Sequence, residues 1–208
     1  MTFIHLSVWI SALIGVIIIA WIRSFDIYEK ETFIAMLWAF LAGGITSVIV
    51  ALGAYEILRI FGLDDEVISN TLGSLLVIGP VEEFAKLIGL VVVYSLIRKQ
   101  FNELTDGIIY MSCVALGFSI IENYFYANSG ENSQYLLVYR AFISTPAHIS
   151  FSVIIGYAWY RFKKENKPFN TVIVAVVVAS LLHGAFYALA FSPWFNFLLL
   201  VYLWLILR

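Results

Sequence analysis

Long apolar runs separated by short polar loops dominate this chain. The pattern predicts about seven membrane spans of roughly 20 or more residues each. We place them near 3–22, 32–61, 71–97, 107–127, 135–162, 170–190 and 194–207, of which the last is the shortest. The expected fold class is an all-α polytopic membrane protein, with residues 1–208 forming one integral membrane domain.

Composition supports the same class. The chain is 62% hydrophobic and only 12% charged, whereas soluble domains carry about 25% charged residues. The polar stretches are too short for a separate soluble domain, and no block of basic residues points to a nucleic-acid partner. We therefore expect the lipid bilayer to be the main surroundings of the chain.

The positions of the positive charges predict an orientation. Most of the 12 Lys and Arg residues lie in the first, third and fifth predicted loops or at the C-terminus. Cytoplasmic loops of membrane proteins are enriched in Lys and Arg. We therefore expect the N-terminus outside and the C-terminus in the cytoplasm of a multi-pass cell-membrane protein.

Two adjacent carboxylates and a lysine interrupt the third predicted span, residues 71–97. Placing an ionisable group at that depth costs about 2.5–3.5 kcal/mol on insertion scales, so such groups seldom persist without a function. On a helix Lys86 lies within one turn of both Glu82 and Glu83. Pro80 removes a backbone N–H, which should kink the helix beside these charges. The segment indicates chemistry within the membrane.

Further polar side chains fall inside later spans. Glu122 and Asn123 end the fourth span, His148 lies in the fifth and His183 in the sixth. At ~1.5 Å of rise per residue, Glu82 and these groups all fall in the outer half of the bilayer or near its midplane. The sequence thus predicts a polar site between the third and sixth helices, in the outer half.

The types of these residues leave two chemistries open. A carboxylate can act as general base on water, and imidazoles can carry protons or stabilise an oxyanion. Alternatively, Glu83, His148 and His183 could hold Zn²⁺, although there is no His-Glu-x-x-His motif to favour that. We predict catalytic roles for Glu82, Glu83, His148 and His183, with Lys86, Glu122 and Asn123 in support.

Two structural predictions concern residues near these groups. Arg140 is expected to anchor its helix at the membrane surface. Small residues allow two helices to approach closely, and we expect this of Gly43, Gly44, Gly53, Gly107 and Gly117.

The residues that indicate chemistry also form a set of motifs. From about Gly79 to Tyr187 the chain resembles the PrsW family of intramembrane proteases, which is distantly similar to the type II CAAX endopeptidases of the CPBP or Abi group. The match to the CAAX group is looser. The resemblance rests on Glu82-Glu83-x-x-Lys86, Phe118-x-x-x-Glu122-Asn123, His148 after Pro146, and His183-Gly184.

The resemblance implies a peptidase of the bacterial plasma membrane. Its reaction would be the first, extracytoplasmic-side cut in a single-span anti-sigma factor. It also implies that Glu82, Glu83 and His183 are essential, with His148 and Glu122 as partners. The PrsW family has been labelled metalloprotease, while the CAAX relatives look like enzymes in which a glutamate activates the water. The resemblance therefore does not decide whether a metal ion such as Zn²⁺ takes part.

Two other classes of function are compatible with the sequence. A proton- or ion-coupled transporter could use the same buried carboxylates and histidines as a relay. A non-catalytic membrane chaperone or immunity-type protein would need them only for structure.

Overall fold

The fold is given by a computed structural model, which describes residues 3–129 and 134–190. All regular structure in these residues is helical, so the all-α class is confirmed for them. Five of the helices are long and apolar enough to cross a membrane, and they coincide with the first, second, fourth, fifth and sixth predicted runs. The seventh predicted run, 194–207, lies outside the described residues.

The described residues form seven helices. The third predicted run is also a continuous helix, and it is set apart from the five apolar ones by Glu82, Glu83 and Lys86. In chain order the helices are α1 (Phe3–Ser24), α2 (Phe33–Ile60), α3 (Asp65–Ser69), α4 (residues 71–97), α5 (Leu104–Asn128), α6 (residues 134–164) and α7 (Asn170–Ala190).

Three of the long helices contain a π-helical turn: Ala39–Gly43 in α2, Ser74–Ile78 in α4 and Arg140–Ser144 in α6. The last two end just before Pro80 and Pro146. Proline lacks the N–H that would bond the carbonyl four residues earlier, and its ring crowds that carbonyl, so the preceding turn widens. The disruption expected at Pro80 is thus present as a π-helical turn.

Helix α5 lies at the centre of the bundle, where it contacts α1, α2, α4 and α6. Side chains on several of its faces are fully buried, among them Ile109, Tyr110, Met111 and Val114. A helix that is apolar on every side is suited to such a central position. Helices α1, α2, α4 and α6 are therefore arranged around α5, and α7 packs against α4 and α6.

Glycines determine how closely several helices approach one another. Gly43, Gly44, Gly107 and Gly117 lie where an added Cβ would collide with a neighbouring helix, as predicted. At Gly53 such an atom meets nothing within 4 Å in the described residues, so the prediction of a contact with one of their helices is wrong.

Helices α4 and α7 cross in close contact beside the polar residues. A Cβ added at Gly184 would lie 2.7 Å from Leu75 Cα, and one added at Gly79 would lie 2.2 Å from the carbonyl oxygen of Ser180. The two backbones are therefore in direct contact. This contact fixes the position of His183, which precedes Gly184, relative to the start of the charged segment of α4.

Candidate active site

Glu83 of α4 is fully buried, and both of its carboxylate oxygens have partners. Lys86 Nζ lies 2.7 Å from Oε1, and the Ser152 hydroxyl of α6 donates to Oε2 at 2.7 Å. The third partner is His183 of α7, whose Nδ1 lies 2.8 Å from Oε1. A carboxylate with a cation and two further partners is held rigidly and remains acceptor-only when ionised.

Lys86 connects Glu83 to the second histidine. Its ammonium nitrogen lies 3.0 Å from His148 Nδ1, and it also lies 4.7 Å from the centre of the Phe118 ring. The side chain is completely buried. These contacts are those of a cation that neutralises and orients its neighbours.

Glu82 differs from Glu83 in having a free oxygen. The Tyr55 hydroxyl of α2 donates to Glu82 Oε1 at 3.1 Å. Oε2 is buried and has no hydrogen-bond partner among the described residues, and His183 Nε2 lies 3.6 Å from it. The two adjacent glutamates therefore have different environments, and Glu82 is the one able to act on a further group.

Glu122 of α5 forms a second charged cluster beside the first. Arg140 Nη2 lies 2.7 Å from Glu122 Oε2, and the Tyr187 hydroxyl donates to Oε1 at 2.5 Å. His148 Nε2 is 3.0 Å from Glu122 Oε2, but its alignment does not make a hydrogen bond. His148 thus stands between Lys86 and Glu122 and joins the two clusters.

Asn123 holds Arg140 in place. Its Oδ1 accepts a hydrogen bond of 2.7 Å from Arg140 Nε, while its Nδ2 donates to Ser11 of α1 and Thr145 of α6. Arg140 is only 4% exposed, so the prediction of a surface anchor is wrong. Its charge is drawn inward because Glu122 offers a buried partner one helix away.

Three residues whose hydroxyl groups contact the site were not predicted from the sequence. Ser152 and Tyr187 each lie four residues after a site histidine, His148 and His183, which places them on the same helix faces. That spacing could have identified both. Tyr55 carries no comparable signal, because it reaches the site from α2 through tertiary packing alone.

The structure brings together a group of donors that could hold a metal ion. Glu82, His148 and His183 each offer one atom, and these atoms lie within 4.8 Å of one another. Glu82 Oε2, His148 Nε2 and His183 Nε2 are buried without hydrogen-bond partners in the described part of the chain. One carboxylate and two imidazoles are a donor set typical of catalytic Zn²⁺. In this arrangement Glu82, rather than Glu83, is the carboxylate left available.

A cavity of about 290 Å³ leads to this group. Glu82, Glu122 and the tyrosines Tyr55 and Tyr126 supply polar atoms in its wall, and most of the other lining residues are apolar. These others are Val48, Ala51, Leu52, Arg59, Asp65, Ile68, Ile78, Phe118 and Phe125. An apolar cavity that ends on a few polar groups is the usual form of a binding site.

Comparison with known proteins identifies the family. Residues 31–207 match the PrsW family model, which is described as an intramembrane metalloprotease. The match covers most of the chain and includes every site residue from Glu82 to His183. The chain belongs to the PrsW family. It is therefore a peptidase and a multi-pass membrane protein whose family acts on membrane proteins.

Individual PrsW relatives agree with this assignment. The chain is 37% identical over 188 residues to a protein named Protease PrsW from Clostridioides difficile (strain 630), covering 87% of this chain and 78% of that protein. It is 34% identical over 111 residues to Protease PrsW of Bacillus subtilis (strain 168), covering 50% of each chain. Protease PrsW of Geobacillus kaustophilus (strain HTA426) is 29% identical over 177 residues, or 83% of this chain and 74% of that protein. No solved structure matches the chain.

The contact between α4 and α7 gives a first prediction for this PrsW protease. Gly184→Ala should lower the rate of substrate cleavage by about 10²-fold, because a displacement of ~1 Å at a catalytic group can cost that much. The added methyl group would lie 2.7 Å from the backbone of Ser74 and Leu75, so α7 must move and His183 moves with it. Initial cleavage rates of purified protein measure the effect.

The matched control is Gly53→Ala, because a Cβ at Gly53 meets no atom of residues 3–129 or 134–190 within 4 Å. That variant should cleave at the wild-type rate. Equal rates for Gly184→Ala and Gly53→Ala would show that the α4–α7 contact does not position the site.

Proposed function

We propose that this PrsW-family protein is an intramembrane endopeptidase in which Glu82 activates the water that attacks the scissile peptide bond. One observation carries the proposal: Glu82 lines a cavity, and its buried Oε2 has no hydrogen-bond partner among the described residues and lies 3.6 Å from His183 Nε2. A carboxylate so placed can remove a proton from water as a general base.

In this mechanism Glu83 orients His183. The Nδ1–H of His183 donates to Glu83 Oε1 at 2.8 Å, which leaves the Nε2 lone pair directed toward Glu82. This tautomer follows from the hydrogen-bond network. His183 Nε2 can then receive the proton that Glu82 takes from water and pass it to the leaving amine of the substrate.

His148 is suited to stabilise the oxyanion that forms at the substrate carbonyl. Because Lys86 donates to Nδ1 at 3.0 Å, the ring proton lies on Nε2, where it can be donated to a developing negative charge. Arg140 and Tyr187 keep Glu122 engaged, so that Glu122 does not compete for the water.

The donor set also fits a metal ion, which agrees with the description of the family. Glu82, His148 and His183 would hold Zn²⁺, and the ion would supply a Lewis acid for the scissile carbonyl and the attacking water. In that form the His148 ring proton would lie on Nδ1, and the Lys86 ammonium, which has no lone pair to accept it, would have to turn away from Nδ1. The two forms of the site differ in the position of this proton, and Glu82 is essential in both.

The substrate and the side of cleavage extend the proposal. The resemblance to the PrsW family suggests a single-span anti-sigma factor cut first on its extracytoplasmic side in the bacterial plasma membrane. The loop charges favour an outside N-terminus, which would put Glu82 in the outer half of the bilayer. Such a substrate could bring its span to the apolar mouth of the cavity beside Tyr55.

Cleavage of single-span anti-sigma-type substrates by the purified full chain in detergent tests the proposal. Mass spectrometry of the fragments locates the cut, which we expect near the extracytoplasmic end of the substrate span. The Glu83→Gln and His183→Ala variants should abolish cleavage. The control variant Glu165→Gln, which changes an exposed residue just after the end of α6, should still cleave. Cleavage that persists in the first two variants would refute the site, and solute uptake by proteoliposomes that depends on Glu82 would favour a transporter.

Removal of metal provides a separate prediction. We expect a membrane-permeant chelator to reduce the cleavage rate by at least tenfold and added Zn²⁺ to restore it. The reason is that, without a metal ion, the three buried ligand atoms have no hydrogen-bond partner among the described residues. Cleavage rates before and after chelation and re-addition measure this. Full activity in chelator, together with loss in Glu82→Gln, would instead establish a glutamate-activated water without metal.

A further inference from the structure

A second group of buried carboxylates lies at the opposite end of the bundle from the active site. Asp26 follows α1, Glu31 precedes α2 and Asp106 lies in the first turn of α5, and one oxygen of each lies within 4.8 Å of the others. Asp106 and Glu122 are separated along α5 by roughly 24 Å at 1.5 Å per residue. The group is therefore distinct from the catalytic carboxylates.

Several carboxylate oxygens of this group have no hydrogen-bond donor among the described residues. Asp26 is 1% exposed, and neither of its carboxylate oxygens has a hydrogen-bond donor in the described residues. Asp106 is fully buried, and its Oδ2 accepts hydrogen bonds of 2.6 Å from the backbone N–H groups of Asn102 and Glu103. Its Oδ1 has no hydrogen-bond donor in the part of the chain that the structure describes. Burying unpaired carboxylate oxygens is costly unless something else satisfies them.

The guanidinium of Arg23 does not neutralise the group. Arg23 directs Nε and Nη2 to the backbone carbonyl of Glu31, at 3.0 and 2.8 Å, rather than to a carboxylate. The Glu31 side chain accepts a hydrogen bond from the Tyr110 hydroxyl.

We propose that Asp26, Glu31 and Asp106 bind one divalent cation of the hard, oxygen-preferring class, such as Ca²⁺ or Mn²⁺. The three residues supply only oxygen ligands, which is the donor set that such cations prefer. The unpartnered oxygens of Asp26 and Asp106 point to the ligand. Bound there, it ties the loop between α1 and α2 to the start of α5.

This site differs from the proposed catalytic metal site in its chemistry. It contains no imidazole, so it favours Ca²⁺, Mn²⁺ or Mg²⁺ over Zn²⁺. In the orientation expected from the loop charges, it faces the cytoplasm, whereas the active site lies in the outer half of the bilayer. A cation here would stabilise the bundle without taking part in peptide hydrolysis.

The test is binding of Mn²⁺ and Ca²⁺ to the full chain in detergent after chelation and dialysis. We expect electron paramagnetic resonance to detect one bound Mn²⁺ per chain, displaced by Ca²⁺, and we expect saturating Ca²⁺ to raise Tm by about 5–10 °C. Absence of Mn²⁺ binding up to millimolar concentrations in the wild type would overturn the proposal. This arm does not depend on any variant folding.

Three variants assign the binding to the site. Asp26→Asn should lose the Tm rise, whereas Glu165→Gln and the active-site variant Glu82→Gln should keep it. In chelator, Asp26→Asn should unfold at a temperature equal to or above the wild type, because it removes an unpaired buried charge, and the order should reverse in Ca²⁺. An unchanged Tm rise in Asp26→Asn, or its loss in Glu82→Gln, would refute the assignment. Neither result bears on the protease proposal, which is tested separately by the cleavage assay.

Discussion

Replacing Glu82 with glutamine should lower the rate of substrate cleavage by about 10²–10⁴-fold, the usual contribution of a general base. Glutamine has nearly the same shape and can still accept the Tyr55 hydrogen bond through its amide oxygen. It cannot take a proton from water, and its amide nitrogen cannot bind a metal ion as a carboxylate does. Product formation over time, with thermal unfolding as a check on folding, measures the change.

Tyr55→Phe is the matched control for this variant. It removes the hydrogen bond to Glu82 Oε1, 3.1 Å long, but keeps the carboxylate. A neutral hydrogen bond contributes about 0.5–1.5 kcal/mol, so the rate should fall by roughly 2–10-fold. A Glu82→Gln variant that retains a tenth of wild-type activity would argue against Glu82 as the base.

Replacing Arg140 with methionine should lower the free energy of unfolding by about 3–5 kcal/mol, the typical cost of leaving a buried charge unpaired. Glu122 would lose its 2.7 Å contact with the guanidinium. The Oδ1 of Asn123 would also lose its 2.7 Å hydrogen bond from Arg140 Nε. Unfolding in detergent monitored against denaturant measures the loss. The double variant Arg140→Met with Glu122→Gln should recover most of it, because no charge then remains unpaired.

An exposed ion pair supplies the control for this prediction. Arg161 lies 2.8 Å from Glu165, and both side chains are about a third exposed or more. Arg161→Met should cost less than about 1 kcal/mol, as surface pairs generally do. Similar losses for Arg140→Met and Arg161→Met would mean that Glu122 and Arg140 are solvated in the folded protein.

Much of the site could be predicted from single helices. Glu82, Glu83 and Lys86 stand out because ionisable groups are costly in an apolar run, and that cost is visible without a structure. Helical spacing predicts that Lys86 can reach either glutamate, and the structure pairs it with Glu83 at 2.7 Å. The family follows from the same motifs, because they occur in chain order on successive helices. Orientation in the membrane remains a prediction from the loop charges.

Contacts between helices could not be predicted in this way. Arg140 was expected at the surface because a positive charge near a helix end usually lies there, yet Glu122 holds it inside the bundle. Gly53 was expected at a helix contact but meets none of the described helices, whereas Gly184 proves to be in direct contact with α4. Helical periodicity defines a face of a helix but does not identify what that face meets.

The sequence by itself determined that this protein is a helical membrane peptidase of the PrsW family, and it predicted the carboxylates and histidines that the structure brings together. Only the tertiary structure decided how the adjacent glutamates differ. Glu83 is engaged by Ser152 and His183, which lie 69 and 100 residues further along the chain. Glu82 lines the cavity, and its Oε2 has no hydrogen-bond partner among the described residues. Neighbouring residues on a helix point about 100° apart, so the packing of α6 and α7 against one side of α4 occupies one carboxylate and leaves the other free.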